Sequence, residues 1–172
     1  MNRMKIWTGA FGLLALAGTA LGSVNVDSAA NYAGGWTNGA NGGGGFGAWS
    51  LAADSGAGWA GCGIWDSAAA SLNLGYAFGF VAKGAGAVIT LDRSFSAALA
   101  AGDTFKLDLG LNYDSGSGGN KGFSVRTADN REIVVVNQGA SEVVTVNGAA
   151  AFTNYGVNTM YWTFTQVSAT QV

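Results

Sequence analysis

An alternation of apolar and polar residues over Thr104–Tyr113 constrains the fold of this chain more than any other feature. The apolar residues take every second position, at Phe105, Leu107, Leu109 and Leu111. Successive side chains of a β-strand point to opposite faces, so this pattern predicts a strand with one buried face and one solvated face. A domain that contains such a strand needs a second layer to cover the buried face.

Shorter stretches with the same alternation recur along the chain. They lie at Tyr76–Phe80, Val88–Leu91, Phe123–Val125 and Met160–Phe164, and apolar runs that also indicate strands lie at Ile133–Val136 and Val143–Val146. Turn residues separate them, and Asn147-Gly148 predicts a two-residue type I′ hairpin. Ser94–Ala101 is the helix-like piece of the domain and allows at most about two turns. The sequence therefore predicts an all-β fold, an antiparallel β-sandwich or jelly roll.

Residues 1–22 follow the order of a secretory signal peptide, which is basic, then apolar, then small. Arg3 and Lys5 are the basic residues, and the apolar run covers Ile6–Leu21. Small residues at the end of the segment predict cleavage before Ser23. The run falls short of the ~20 apolar residues that a bilayer-spanning helix needs. We therefore expect a cleaved signal-peptide helix here and not a membrane anchor.

The expected domain organisation follows from this leader. Residues 23–172 are predicted to form one domain, secreted or held at the cell surface, with no transmembrane segment in the mature chain. The strand pattern continues almost to Val172, which fits either a final strand or a natural chain that is truncated at this point.

Composition excludes several chemistries. The sequence has no histidine, so Ser-His-Asp sets, Cys-His pairs and imidazole metal ligands are excluded. Without the leader the chain has six basic and ten acidic residues, and nucleic acid is a poor partner for so few cations.

Cys62 is the only cysteine, so the domain has no internal disulfide. We expect Cys62 to be a small buried residue between Trp59 and Trp65.

The carboxylates offer no recognisable catalytic set. Glycoside hydrolysis needs two carboxyl groups that face each other across a cleft. Glu132 and Glu142 are the only glutamates, and both border predicted strands near hairpin turns. We expect a non-catalytic protein, with a carboxylate-based glycosidase as the remaining enzymatic alternative.

A glycine-rich segment supplies the candidate binding residues. Eight of the eighteen residues in Tyr32–Trp49 are glycine, and aromatic residues are interleaved with them. The candidate ligand-binding residues are Tyr32, Trp36 and Trp49 in this segment, together with Tyr113 and Asn112 in a later predicted loop. Indole faces can stack on the C–H faces of pyranose rings, and amides can hold the hydroxyl groups.

The alternative for these tryptophans is structural, because large aromatic rings fill cores by default. Tyr32 and Tyr113 lie next to turns and are expected to be more exposed than the tryptophans. Three or more tryptophans exposed on one face would favour sugar recognition.

One predicted loop contains candidate calcium ligands. Asn112, Asp114 and Asn120 could contribute some of the about 6–8 oxygens that Ca²⁺ takes. Their spacing is not that of an EF-hand loop, and an ordinary solvated loop explains it equally well. No other cofactor is expected.

Three segments carry a resemblance to a known group of proteins. They are GGWTNGANGGGGFGAW at 34–49, RSFSAALAAGDTFKLDLG at 93–110 and GNKGFSVR at 119–126. These segments resemble glycine-rich β-sandwich domains, jelly-roll or lectin-like, of secreted bacterial surface proteins. The resemblance implies an extracellular location, a binding or structural role and no transferable catalytic residue. Many such proteins end in a sorting tag with a proline-containing motif, which this proline-free sequence lacks.

Two functional hypotheses from different classes remain open. One is a non-catalytic module that binds polysaccharide or cell-envelope glycan, or serves in adhesion. The other is a structural protein of the extracellular matrix or envelope that associates with copies of itself, because few charges and no proline protect its strand edges.

Overall fold

The computed structural model describes residues 3–7, 10–14, 25–66, 75–110, 119–139, 143–153 and 159–168, and for the first two ranges it describes the backbone alone. These residues form twelve strands and one short 3₁₀ helix. The strands are β1 (Arg3–Trp7), β2 (Ala10–Leu14), β3 (Ser50–Asp54), β4 (Trp59–Asp66), β5 (Tyr76–Lys83), β6 (Val88–Ser94), β7 (Thr104–Gly110), β8 (Lys121–Arg126), β9 (Glu132–Gln138), β10 (Val143–Val146), β11 (Ala149–Thr153) and β12 (Thr159–Thr165). The helix, η1, covers Ala29–Tyr32.

The strands form two sheets. Sheet A has seven strands in the order β11-β10-β9-β8-β1-β6-β3, and sheet B has five in the order β12-β7-β2-β5-β4. All strand pairings in both sheets are antiparallel. The prediction of an all-β fold is confirmed. None of the described residues belongs to a helix that is long and apolar enough to cross a membrane.

Both sheets contribute side chains to one hydrophobic core. Leu91 of β6 and Leu107 of β7 are completely buried in it, although they belong to different sheets. Aromatic rings also meet across the sheets, because the ring of Phe123 in β8 lies 5.7 Å from that of Phe164 in β12. The alternation that predicts β7 is confirmed, since Phe105, Leu107 and Leu109 are buried and the residues between them are partly exposed.

The backbone of the predicted leader forms β1 and β2, which are central strands rather than a helix. β1 lies between β6 and β8, and β2 lies between β5 and β7. Ile, Trp and Phe favour strands, and the glycines at positions 9 and 12 disfavour a helix, so these residues suit a sheet as readily as the expected helix. The cleavage before Ser23 stays a prediction.

Two local features of the structure differ from the predictions. Ser94–Ala101 does not form a helix, because β6 continues to Ser94 and the side chain of Phe95 is buried against the rings of Phe46 and Phe105. Among the residues just after the predicted leader, the structure has one bridge residue, at position 26, where the sequence analysis names no strand. The sequence pattern also missed β3, β4 and η1.

The hairpin between β10 and β11 has the predicted two-residue turn. Val146 pairs with Ala149, so Asn147 and Gly148 are the loop. Their φ angles are 50° and 82°, which is the left-handed conformation that a type I′ turn requires. The Asn147 side chain also accepts a hydrogen bond from the backbone N–H of Val135, at 2.8 Å.

We expect Gly148→Ala to lower the free energy of unfolding by about 1–2 kcal/mol, because an L-residue is strained at positive φ. Gly34→Ala is the matched control, since an added Cβ meets nothing within 4 Å at either site and only Gly148 has a positive φ. Urea denaturation of both variants measures the difference. Equal losses of stability would contradict the strain argument.

Candidate functional site

Three of the predicted binding residues lie in the core. Tyr32, Trp36 and Trp49 are 4%, 6% and 3% exposed, so in this conformation their rings have no free face for a sugar. The expectation that Tyr32 would be more exposed than the tryptophans is wrong, because Trp59 is 53% exposed. The physical reason is that the glycine-rich segment has few other large side chains with which to cover the end of the core.

The buried rings of this segment surround one residue of sheet B. The ring centroids of Tyr32, Trp36 and Trp49 lie 5.1, 4.7 and 5.3 Å from that of Phe78 in β5. Such spacing is typical of favourable edge-to-face and tilted aromatic pairs. The aromatics therefore attach the glycine-rich segment to the sheet, which is the structural alternative that the sequence left open.

A buried arginine holds the same segment to sheet A. Arg93 of β6 is 2% exposed, and its guanidinium carbon lies 4.6 Å from the ring centroids of both Phe46 and Trp49. Its Nε and Nη2 donate to the carbonyl oxygen of Gly47 at 3.1 and 2.6 Å, and Nη2 also donates to Oδ1 of Asn41 at 3.0 Å. Cation–π contacts and charge-assisted hydrogen bonds thus act on the loop together.

Asp27 neutralises this buried cation. Its carboxylate is completely buried and forms an ion pair with Nη1 of Arg93. The hydroxyl of Tyr32 donates to Oδ2 of Asp27 at 2.8 Å and accepts from Nε1 of Trp49 at 3.1 Å. Gly43 packs directly against Asp27, where an added Cβ would overlap the carboxyl group. The predicted candidates Tyr32 and Trp49 are therefore parts of a buried polar network.

We expect Asp27→Asn to cost about 3–5 kcal/mol of unfolding free energy, because it leaves a buried guanidinium without its counter-charge. Glu132→Gln makes the same carboxyl-to-amide change in the ion pair with Arg126, where Glu132 is 41% exposed. That control should cost at most about 1 kcal/mol. Urea denaturation followed by tryptophan fluorescence compares the two. A similar small loss in both variants would show that the buried pair is not critical.

Most of the other candidate binding residues that the sequence indicates lie outside the residues that the structure describes. Asn112, Tyr113 and Asp114 lie in a range that the structure does not describe, so their suggested roles in ligand or calcium binding stay predictions. Asn120 is exposed, and its Oδ1 accepts a hydrogen bond from Nδ2 of Asn137 at 3.5 Å. Within the described ranges, no group of three or more His, Cys, Asp or Glu residues could hold a metal ion.

The exposed tryptophans lie instead on β4. Trp59 and Trp65 are 53% and 39% exposed. The alternate residues Ala60, Cys62 and Ile64 pack against the core, so the two tryptophans share the opposite, outer face of sheet B. Exposed aromatics on one face of a sheet are a recognised mark of an interaction surface.

Glycine backbone lies directly beneath the indole rings of Trp59 and Trp65. Gly61 and Gly63 lie between the tryptophans on the same face, and Gly63 pairs with Gly79 of β5. A Cβ added at Gly61 would lie 2.7 Å from Cζ2 of Trp59, and one added at Gly79 would overlap the ring of Trp65. Both rings therefore lie down along the sheet, above backbone that carries no side chain. We call Trp59, Trp65 and these three glycines the tryptophan platform.

Polar groups share the outer face of sheet B. Asp108 of β7 pairs with Tyr161 of β12, which is 73% exposed. Partial burial raises the pKa of the Asp108 carboxyl, while the neighbouring Lys106 lowers it. Three strand spacings of ~4.8 Å separate β12 from β5, so Tyr161 lies on the order of 15–20 Å from the platform.

Cys62 faces the core from the same hairpin. It pairs with Phe80 in the register, and burial raises the pKa of its thiol. It is partly rather than fully buried. The thiol side of β4 is thus separated from the tryptophan platform by the strand itself, although the residues are adjacent in sequence.

In comparisons with known proteins, no family model matches the chain, and the searches of the curated proteins and of the solved structures found no match. The platform was missed from the sequence because three glycines lower the strand propensity of the hairpin. A signal was present, since WAGCGIW places Trp59, Gly61, Gly63 and Trp65 at alternate positions.

Proposed function

We propose that this protein is a secreted, non-catalytic module that binds carbohydrate through the tryptophan platform. The observation that carries the proposal is the pair of exposed indoles lying flat on glycine backbone on one sheet face. A flat indole presents a broad apolar surface with a negative quadrupole, which suits the C–H face of a pyranose ring. The binding residues proposed here differ from those expected from the sequence.

The shape of the surface favours an extended polysaccharide over a small sugar. Trp59 and Trp65 are six positions apart, so their Cα atoms are separated by about 20 Å along the strand. Tyr161 and Asp108 lie farther across the same face and add a ring and a hydrogen-bonding group. A cleft between Phe46 and Phe95 has a volume of about 100 Å³, and no residue of the tryptophan platform lines it.

The finer features of fold and location belong to the same proposal. We infer a two-layer β-sandwich of jelly-roll type, supported by two antiparallel sheets that share one core. Export is supported by the basic, apolar and small order of residues 1–22, and envelope or extracellular glycan is the corresponding ligand class. The absence of histidine from the sequence supports a non-catalytic role.

Substitution of the platform tests the proposal. We expect the full chain to bind at least one of three insoluble probes: cellulose, chitin and purified peptidoglycan. Trp59→Ala and Trp65→Ala should each weaken that binding at least about tenfold, or about 1.4 kcal/mol. Gly79→Ala should weaken it as well, because the added Cβ displaces the Trp65 ring without removing it. Depletion isotherms measure all three.

Phe152→Ala is the control for this experiment. Phe152 is an exposed aromatic residue, 44% accessible, but it lies on β11 of sheet A. Its loss should leave the isotherms unchanged. Binding to none of the probes, or equal weakening by Phe152→Ala, would overturn the platform assignment.

The edges of the sheets favour one second candidate, a self-associating structural protein. The four outermost strands are β11, β3, β12 and β4, and the only charged residues in them are Asp54 and Asp66. β11 has the sequence AAAFT, and every residue in it is exposed. Edge strands with few charges and no proline have little protection against pairing with another chain.

Under this second candidate, light scattering should show growing oligomers as the concentration rises. Ala151→Lys on β11 should suppress them, because charge on an edge strand opposes pairing. Ala128→Lys is the matched control, since Ala128 is an exposed alanine in a turn. A strict monomer at high concentration would leave glycan binding as the sole candidate.

A further inference from the structure

The N-terminal segment has an unusual place in the fold for a predicted leader. β1 has five residues in register with β6 on one side and five in register with β8 on the other. β2 has five residues in register with β7, and Phe11 pairs with Phe78 of β5. One stretch of about a dozen residues therefore supplies a middle strand to each sheet.

The directions of the strands on either side of β1 and β2 determine whether each sheet can close if this segment dissociates. β6 and β8 are both antiparallel to β1, so they run parallel to each other. β5 and β7 are parallel to each other for the same reason, since both are antiparallel to β2. Without the segment, each sheet has a gap of about 10 Å, which is two strand spacings. The two strands that border the gap run in the same direction.

Such a gap does not close while the existing hydrogen-bond pattern is kept. Direct pairing of β6 with β8 would form a parallel ladder, with slanted hydrogen bonds, inside a sheet whose other pairs are antiparallel. An extended peptide that runs antiparallel to both bordering strands can form hydrogen bonds with the backbone N–H and C=O groups of both. Unpaired edges facing each other across a gap are templates for that peptide.

We propose that the space between β6 and β8 and the space between β5 and β7 are strand-acceptor sites. Their occupant is the segment 3–14, bound in cis in the intact chain and able to bind in trans as a separate peptide after cleavage. The ligand class is an extended polypeptide held mainly by backbone hydrogen bonds. The predicted cleavage before Ser23, followed by release of the segment, would therefore convert two filled sheets into two sheets with open acceptor sites.

Cutting the folded chain tests this proposal. A protease recognition sequence is placed within residues 15–22, the full chain is purified folded, and the linker is then cut. We expect the N-terminal fragment to stay bound through gel filtration and to exchange with an excess of fluorescent peptide of residues 1–16, at one peptide per chain. Hydrogen exchange should accelerate in β6 and β8 when the fragment is stripped and slow again when the peptide binds.

A second peptide carrying Lys5→Pro and Gly12→Pro is the control. Proline removes a backbone donor from the middle of each strand, so this peptide should bind at least about tenfold more weakly. If the stripped chain unfolds, refolding on addition of the unmodified peptide supports the proposal. Failure to refold would overturn it. Equal binding of both peptides, or a fragment that dissociates without any change in exchange at β6 and β8, would also overturn it.

Discussion

The ion pair between Arg93 and Asp27 is the interaction on which the rest of the structure depends. Neither side chain is exposed to solvent, so each requires the other for neutralisation. β6 fixes Arg93, and the segments that supply Asp27, Tyr32 and Asn41 are brought to it from a different part of the chain. A loop dominated by glycine would otherwise be ordered at a large entropic cost. The buried charge gives this loop one defined conformation over the end of the core.

This arrangement separates two uses of aromatic residues. Trp36 and Trp49 close the core around Phe78, while Trp59 and Trp65 lie on the solvent face of the neighbouring strand. The platform residues all belong to the β4–β5 hairpin, whereas Asp108 and Tyr161 lie beyond β2 in the same sheet. Release of the N-terminal segment would therefore leave the pairing of β4 with β5 in place and separate the platform from the polar groups of β7 and β12.

Local signals in the sequence predicted the all-β class and some of its strands, and long-range contacts explain where prediction failed. The alternation in β7 and the Asn147-Gly148 turn were predicted because each depends on neighbouring residues. Asp27 and Arg93 are 66 positions apart, and no local pattern indicates that an arginine within a strand meets a carboxylate in the core. Tryptophan exposure likewise depends on which face of β4 meets the other sheet. Two tryptophans are exposed on one face, fewer than the three that the sequence argument asked for.

The reactivity of the Cys62 thiol reports on the opening of the edge of sheet B. Its thiol lies on the core side of β4, opposite Phe80, and is partly buried, and burial raises its pKa, so separation of the hairpin from the core would expose more of the reactive thiolate to a thiol reagent. The sequence contains no second cysteine to compete for the reagent. The modification rate of this one sulfur therefore rises when the edge of sheet B opens, and a ligand bound to the tryptophans on the other side of the strand would lower it.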